Sequence, residues 1–453
     1  MLKAGFAEKI LEIAPGQPLM GHTRDTYAAT GTHDSLLCKA IVWQDEVHTT
    51  GFIALDLCMV DASFVIEAKS TITRLTGVDG DSFLICATHT HAGPAVFSLY
   101  EAPVMEETVR QELIRIIAQS AWEALETLQP VEFRFGTASC MESIGFNRRL
   151  ECLDGTVAMN WELLDPDEVV GPLGPVESIV RVVEMIGESL HVCLVNYPLH
   201  PAILDYTNSL YSRDFPGYLE IALRQIVGED LHVVFANGCC GDINHIDYLD
   251  HDMPRRGHAA SQRVGYILAA AGAQALRSAR SLEANTTERE VNTISLPRIQ
   301  IPRDLLDRAR DCVVNAHAEQ EAATDGLPFV LQAPMILDLG SFQDSLLATT
   351  ISVTRIGPIH VFAFPGEVTY KIQERLGEVL GDVPWIAVEL ADDAIGYIAH
   401  REAYPQGGYE VQVGATKVAA GAAEYMLEQS VSIYRRLAGK MWSTHEKEVF
   451  HGK

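Results

Sequence analysis

The apolar run Phe83-Leu84-Ile85-Cys86-Ala87 ends abruptly at Thr88-His89-Thr90-His91-Ala92-Gly93-Pro94, and this junction constrains the chain more than any other stretch. Five apolar residues without a polar break read as a buried strand. In a strand, residues i and i+2 point the same way, so His89 and His91 are expected side by side at its end. Gly93-Pro94 then turns the chain away. Paired imidazoles at a strand end are a common start for a transition-metal site, since neutral imidazole suits zinc and its neighbours. Histidines in such places also serve as hydrogen-bonded surface residues, so the pair alone leaves both readings open.

The surroundings narrow the class of protein. With 47% hydrophobic and 21% charged residues, the 453-residue chain has a globular composition. Its formal charge of −27 argues against nucleic acid or a stable anionic-membrane contact, both of which would repel it. A small-molecule substrate suits that balance, and an oligomer is left open. The first nine residues lack the apolar core of a signal peptide, and no apolar stretch is long enough to span a bilayer. The nine cysteines are scattered, with Cys58, Cys86 and Cys193 inside apparent core strands and no CxxC pair. That usage fits free thiols in a reducing compartment, so a cytoplasmic location is expected.

Strand-like and helix-like segments alternate along most of the chain. Strands are expected at Ala40 to Trp43, Gly51 to Val60, Val131 to Gly136, Ser178 to Met185, Leu190 to Tyr197, Leu231 to Asn237 and His360 to Phe364. Helices are expected at Ala62 to Leu75, Glu106 to Leu128, Pro216 to Val227, Ala259 to Ala279 and Gly421 to Leu437. The pattern argues α/β with mixed or largely parallel central sheets flanked by helices. No linker divides the chain, so one large domain over 1–453 is expected, with a helical excursion at 302–326.

Four further places set reactive residues at strand ends or turns. His200 follows an apolar strand and is clasped by Pro198 and Pro201, which stiffen the backbone around it. Pro365-Gly366-Glu367 follows another strand, with a helix expected to start at Glu367, where an acid is also ordinary dipole compensation. Gly396-Tyr397 to His400 precedes Tyr409-Glu410, and tyrosines in loops are often packing residues. Gly238-Cys239-Cys240-Gly241 permits a tight loop whose N–H groups can face a ligand or simply turn the chain. Asp214, His245, His251 and His258 lie where they would rim a pocket.

The order of these pieces resembles the N-terminal, zinc-binding catalytic domain of neutral/alkaline (non-lysosomal) ceramidases. The likeness runs from Pro18-Leu19-Met20-Gly21 to Tyr409. His89 to Pro94 matches the family's His-Thr-His-[Ser/Ala]-Gly-Pro signature, Asn147-Arg148 its Asn-Arg motif, and His200-Pro201 its His-Pro element. Pro365-Gly366-Glu367 matches the acidic ligand element and Tyr397 to Glu410 the tyrosine-rich segment. The resemblance implies a metal site at strand ends, with one Zn2+ held by His89, His200, Glu367 and Tyr397. It also implies that His91, Arg148 and Tyr409 line the reacting centre.

In this reading metal-activated water attacks an amide-type C–N bond, Arg148 or Tyr409 stabilises the oxyanion, and His91 shuttles a proton. Two departures limit the transfer. Asn244 stands where the family carries a serine implicated in catalysis, and no C-terminal β-sandwich domain is expected. The substrate is therefore expected to be a small, soluble amide rather than ceramide. The alternatives are a zinc-dependent lactonase, lyase or epimerase on a polar metabolite, and a non-catalytic binding protein on the same scaffold.

Overall fold

A computed structural model describes residues 2–98, 103–162, 164–174, 176–250, 252–315, 329–342 and 344–439. Three mixed sheets organise them. The first runs Phe83–Ala87, Thr49–Leu55, Leu37–Gln44, Lys3–Ile10, Gln129–Pro130. The second runs His232–Asn237, His191–Tyr197, Ile179–Ile186, Glu132–Ser139, Arg280–Leu282, and the third Thr287–Pro297, Leu346–Ile356, Ile359–Ala363, Trp385–Val388.

The strands are apolar in unbroken runs because both faces are buried. Ile53, Leu55 and Ile85 point to one side of the first sheet, against the helices Ala62–Thr76 and Glu107–Glu126. Their neighbours Phe52, Ala54, Leu84 and Cys86 point to the other. The second and third sheets alternate likewise, sending Leu194, Val234, Val361 and Ile386 into the same inner core. Phe215–Val227 and His258–Ser278 cover the outside of the second sheet, and Tyr370–Leu380 and Ala422–Ala438 that of the third. Each fully buried leucine, isoleucine or valine contributes about 1.5–3 kcal/mol over exposure, so the shared core binds the sheets together.

Each sheet ends in one parallel pair: Thr49–Leu55 with Phe83–Ala87, His191–Tyr197 with His232–Asn237, and Ile359–Ala363 with Trp385–Val388. These edges are stitched to one another. Asn196 Nδ2 donates to Ala236 O at 2.8 Å and to Ala387 O at 2.7 Å, joining the second sheet to the third. Glu389 N donates to Asn237 O, Ala87 N to Leu390 O and Asp392 N to Ile85 O. The chain ends leaving Ala87, Tyr197, Asn237 and Ala363 are thereby gathered at one place.

Most expected elements are present within a residue or two, and three differences matter for the site. The strand expected from Gly51 to Val60 stops at Leu55, because Leu57 N turns back to Leu55 O. Cys58 therefore lies in a loop and its carbonyl is free of the sheet. The helix expected from Glu367 begins at Tyr370, since Glu367–Val368 pairs in parallel with Tyr397–Ile398. His89 is not in strand conformation: its φ of 74° is left-handed, a state costly for most L-residues and less so for histidine. The first part of the expected excursion is the helix Arg303–Asn315, packed on Phe329–Ser341. Its remainder, at 316–326, lies outside the described residues.

Candidate metal centre

Three loops meet at the stitched edges, each pinned by its backbone. Thr88 N and His89 N donate to Leu55 O and Leu57 O, and His91 N donates to Pro201 O at 3.0 Å. Leu199 N donates to Asn237 Oδ1, and Glu367 N to Gly396 O. On this frame His89, His200 and Glu367 bring one ligand atom each within 4.8 Å of the others. All three are buried, with exposures of 0%, 2% and 3%.

The imidazoles are oriented from behind. His89 Nδ1 lies 2.8 Å from Cys58 O and His200 Nδ1 2.8 Å from Cys240 O. A carbonyl only accepts, so each Nδ1 carries the proton and each Nε2 turns its lone pair forward. Those Nε2 atoms lie 3.4 Å and 3.1 Å from Glu367 Oε2. Three electron-rich atoms thus face one another in a dry pocket, an arrangement that a shared proton or a cation relieves.

The ionisation of the group follows from that crowding. Burial works against the Glu367 carboxylate, yet His200 and His89 hold it well below the usual range. Burial and the Arg148 charge lower His200 to about 4. Burial also opposes a charge on His89, but Cys58 and Glu367 raise it well above the ordinary imidazole value. Burial and His22 push His91 well below that value.

Each residue singled out in the sequence can be placed. His91 Nε2 is 3.4 Å from His89 Nε2, and its Nδ1 is 3.3 Å from His22 Nε2. Their adjacency holds although the strand alternation that predicted it does not. Cys58, His89 and His91 form a second overlapping set of metal-compatible atoms. Tyr397 stands beside Glu367 by strand register, and its phenol bonds to Arg148. Tyr409 packs on Tyr397, with ring centroids 5.2 Å apart.

Arg148 is sandwiched among Trp161, Tyr397 and Tyr409, at 5.1, 5.4 and 5.7 Å from the ring centres. Its Nε donates to Glu410 Oε1 at 2.7 Å, while Nη2 is buried without a hydrogen-bond partner.

Several expected rim residues are occupied internally. Asp214 accepts from Ile203 N, Leu204 N, Phe215 N and Ser261 Oγ, so its carboxylate shapes the loop after His200 and does not face a ligand. His245 Nε2 bonds Arg255 O, and His258 bonds Tyr218 and stacks on His33. His251 lies outside the described residues. The Gly238 to Gly241 turn offers no N–H to a ligand: its four donors go to Tyr197 O, Gln373 Oε1, Glu389 Oε2 and Val368 O. Gly241 is needed there because a Cβ would meet Glu367 O at 2.8 Å.

The sequence reading missed His22, Trp161 and Glu389. Gly21, whose Cβ would strike the His91 ring at 2.4 Å, was the available pointer to His22. Trp161 carried no motif. Glu389 accepts from Val368 N at 2.9 Å and Cys240 N at 3.1 Å, tying the segment that bears Glu367 to the turn whose carbonyl holds His200. Burial raises it to about 8.

Asn244, which the resemblance sets at the family's serine position, exchanges two 2.7 Å bonds with Asn160. A cleft of about 400 Å³ opens onto Glu367 between Met59, Phe97, Met335, Leu339 and Lys417. Among the described residues no helix is long and apolar enough to cross a membrane.

No protein-family model matches the chain. Over 212 residues, 44% of the chain, it is 25% identical to the neutral ceramidase of Pseudomonas aeruginosa, of whose length the match takes in 30%. The crystal structure of neutral ceramidase from Pseudomonas aeruginosa superimposes with a TM-score of 0.73 at 17% identity, covering 98% of this chain and 75% of that one. A ceramidase structure complexed with C2 gives 0.72 at 17% identity, covering 98% and 76%.

Proposed function

We propose that this neutral-ceramidase-like chain is a zinc-dependent hydrolase that cleaves an amide-type C–N bond in a small soluble substrate. The observation that carries the reading is the convergence of His89, His200 and Glu367, with both imidazoles locked by main-chain carbonyls. Two imidazole nitrogens and a carboxylate are the usual nitrogen–oxygen set for zinc, and carbonyl-bonded Nδ1 atoms are its usual support. Tyr397 stands next to Glu367 as the fourth candidate ligand. Zinc held there supplies Lewis acidity and a water nucleophile at neutral pH.

The chain's own residues divide the remaining work. Arg148 Nη2, buried and unpaired, is available to an oxygen gaining negative charge. Three aromatic rings and Glu410 hold that guanidinium in place. His91, next to His89 and steadied by His22, can pass a proton to the departing nitrogen. Tyr409 walls the same space. A cleft of about 400 Å³ suits a small ligand. Cytoplasmic residence is supported by nine unpaired cysteines, and one catalytic domain by the core that the three sheets share.

Metal analysis by mass spectrometry tests the reading on the wild type and on His200→Ala, both purified without added metal. About one zinc per chain, the ordinary stoichiometry of such a site, should be present and should vanish in the variant. Turnover of soluble amides in heavy-oxygen water should then place solvent oxygen in the acid product. A wild type that stays empty when offered zinc overturns the reading. Turnover without solvent oxygen moves it to a lyase or epimerase.

A further inference from the structure

The cleft opening onto Glu367 has in its wall a cation that the chemistry above does not use. Met59, Phe97, Met335 and Leu339 make the cleft largely apolar, and Lys417 and Asp338 line it too. The segment bearing Lys417 is fixed to the site. Glu367 pairs with Tyr397, Tyr397 bridges to Thr416, and Ile299 N donates to the Lys417 carbonyl at 3.1 Å. Two strand spacings, roughly 10 Å, therefore separate Glu367 from Thr416. That is the span of a small ligand.

Among the described residues the Lys417 ammonium makes no hydrogen bond and no ion pair. The chain carries 61 Asp and Glu against 34 Lys and Arg, so partners are in excess. Among the described residues none of these carboxylates closes an ion pair with the half-buried lysine, Asp338 in the same cleft wall included, and an ammonium left so is costly unless something else meets it. Burial pulls its pKa down, while the Asp393 and Asp338 carboxylates work to keep it charged. An ammonium beside an apolar wall and near the reacting centre fits a ligand with a hydrocarbon arm and a carboxylate, since charge-assisted bonds are the strong ones.

We infer that the substrate is an amide bearing an apolar arm and a free carboxylate, in the manner of an N-acyl amino acid, and that Lys417 reads the carboxylate. The inference rests on the hydrolase reading of the same site. The probes are N-octanoyl-γ-aminobutyrate and the same molecule with its carboxylate replaced by a primary amide. Dissociation constants are measured by calorimetry on the full chain after chelation of metal, and KM and kcat on the full chain as purified.

The charged probe should bind about tenfold tighter than the neutral one, the worth of one charge-assisted bond. Lys417→Met should bring that ratio near one and Lys417→Arg should restore most of it, with the change appearing in KM. Raising the salt should weaken binding of the charged probe to the wild type. If Lys417→Met does not fold, that salt dependence decides alone. Equal affinity for the two probes, no binding of either, a ratio unmoved in a folded Lys417→Met, or a flat salt dependence overturns the inference. Selective binding without turnover of either probe upholds the carboxylate site and fells the hydrolase reading. Turnover of both with equal KM does the reverse.

Discussion

Two buried polar clusters of this molecule behave oppositely. In the first, Lys39 Nζ lies 2.6 Å from Glu220 Oε2, Arg213 Nη1 lies 2.5 Å from the same oxygen, and Arg213 Nε lies 3.1 Å from Asp34. Lys39 also donates to Val233 O. Each carboxylate meets a cation from its own chain. In the second, Glu367 faces His89 and His200, and among the described residues no lysine or arginine pairs with it. Desolvation penalises both clusters, but the first balances its charge with fixed lysine and arginine cations, the second only with a proton on an imidazole beside Glu367. The Lys39 cluster is therefore complete as folded, whereas the proton of the histidine cluster can give way to a metal cation in the proposed reading. A buried charge is read as structural or functional by whether its complement belongs to the chain.

Crossing the two clusters gives the largest expected contrast. In the proposed reading, where a metal would supply the nucleophile, Glu367→Ala should strip it and reduce turnover roughly a thousandfold or more. Glu220→Ala should leave metal content near wild type and cost about 3 kcal/mol of stability, because two cations lose a buried partner. Mass spectrometry and urea denaturation of both variants check this. A Glu220 variant that loses metal, or a Glu367 variant that unfolds while keeping it, would erase the distinction.

Arg148 sharpens the contrast, for it joins both kinds of cluster. Its Nε is paired with Glu410, whereas Nη2 is left for a ligand. Lysine lacks the planar fork that pairs Nε with Glu410 while holding Nη2 in a fixed second direction. Arg148→Lys should keep the metal and lower kcat/KM about a hundredfold, the usual loss on removing one oxyanion donor. An effect confined to stability would mean that Nη2 merely tolerates burial.

The legible part of this fold is the part set by local pattern. Runs such as Phe83 to Ala87 and Leu231 to Asn237 announced themselves because both their faces are buried. The ligand candidates were legible as reactive residue types placed just after those runs. What was not legible depends on distant partners. An acid after Pro365-Gly366 reads as a helix start, and only pairing with Tyr397, thirty residues on, keeps Glu367 extended. The Gly238 to Gly241 turn reads as a ligand cradle until Gln373 and Glu389 take up its N–H groups. The left-handed turn at His89 follows from loops packed around it, and no residue nearby signals it.

The smallest effect concerns a third cluster, which by the same criterion is closed. Asn244 and Asn160 are 6% and 1% exposed and satisfy each other's amides, with further bonds from Asn160 to Ile246 O and from Ile246 N to Asn244 Oδ1. Asn244→Ala leaves Asn160 Oδ1 and Ile246 N without these partners and should cost about 1–3 kcal/mol in urea denaturation. Asn160→Ala should cost a similar amount, and the double variant clearly less than the sum, because the second change removes a group already orphaned. Turnover should stay near wild type in each folded variant, and Asn244→Ser should gain none, since the pair complements itself and faces no vacancy. A rise in turnover on placing serine at 244 would transfer this pair from the closed clusters to the open one and make the position catalytic.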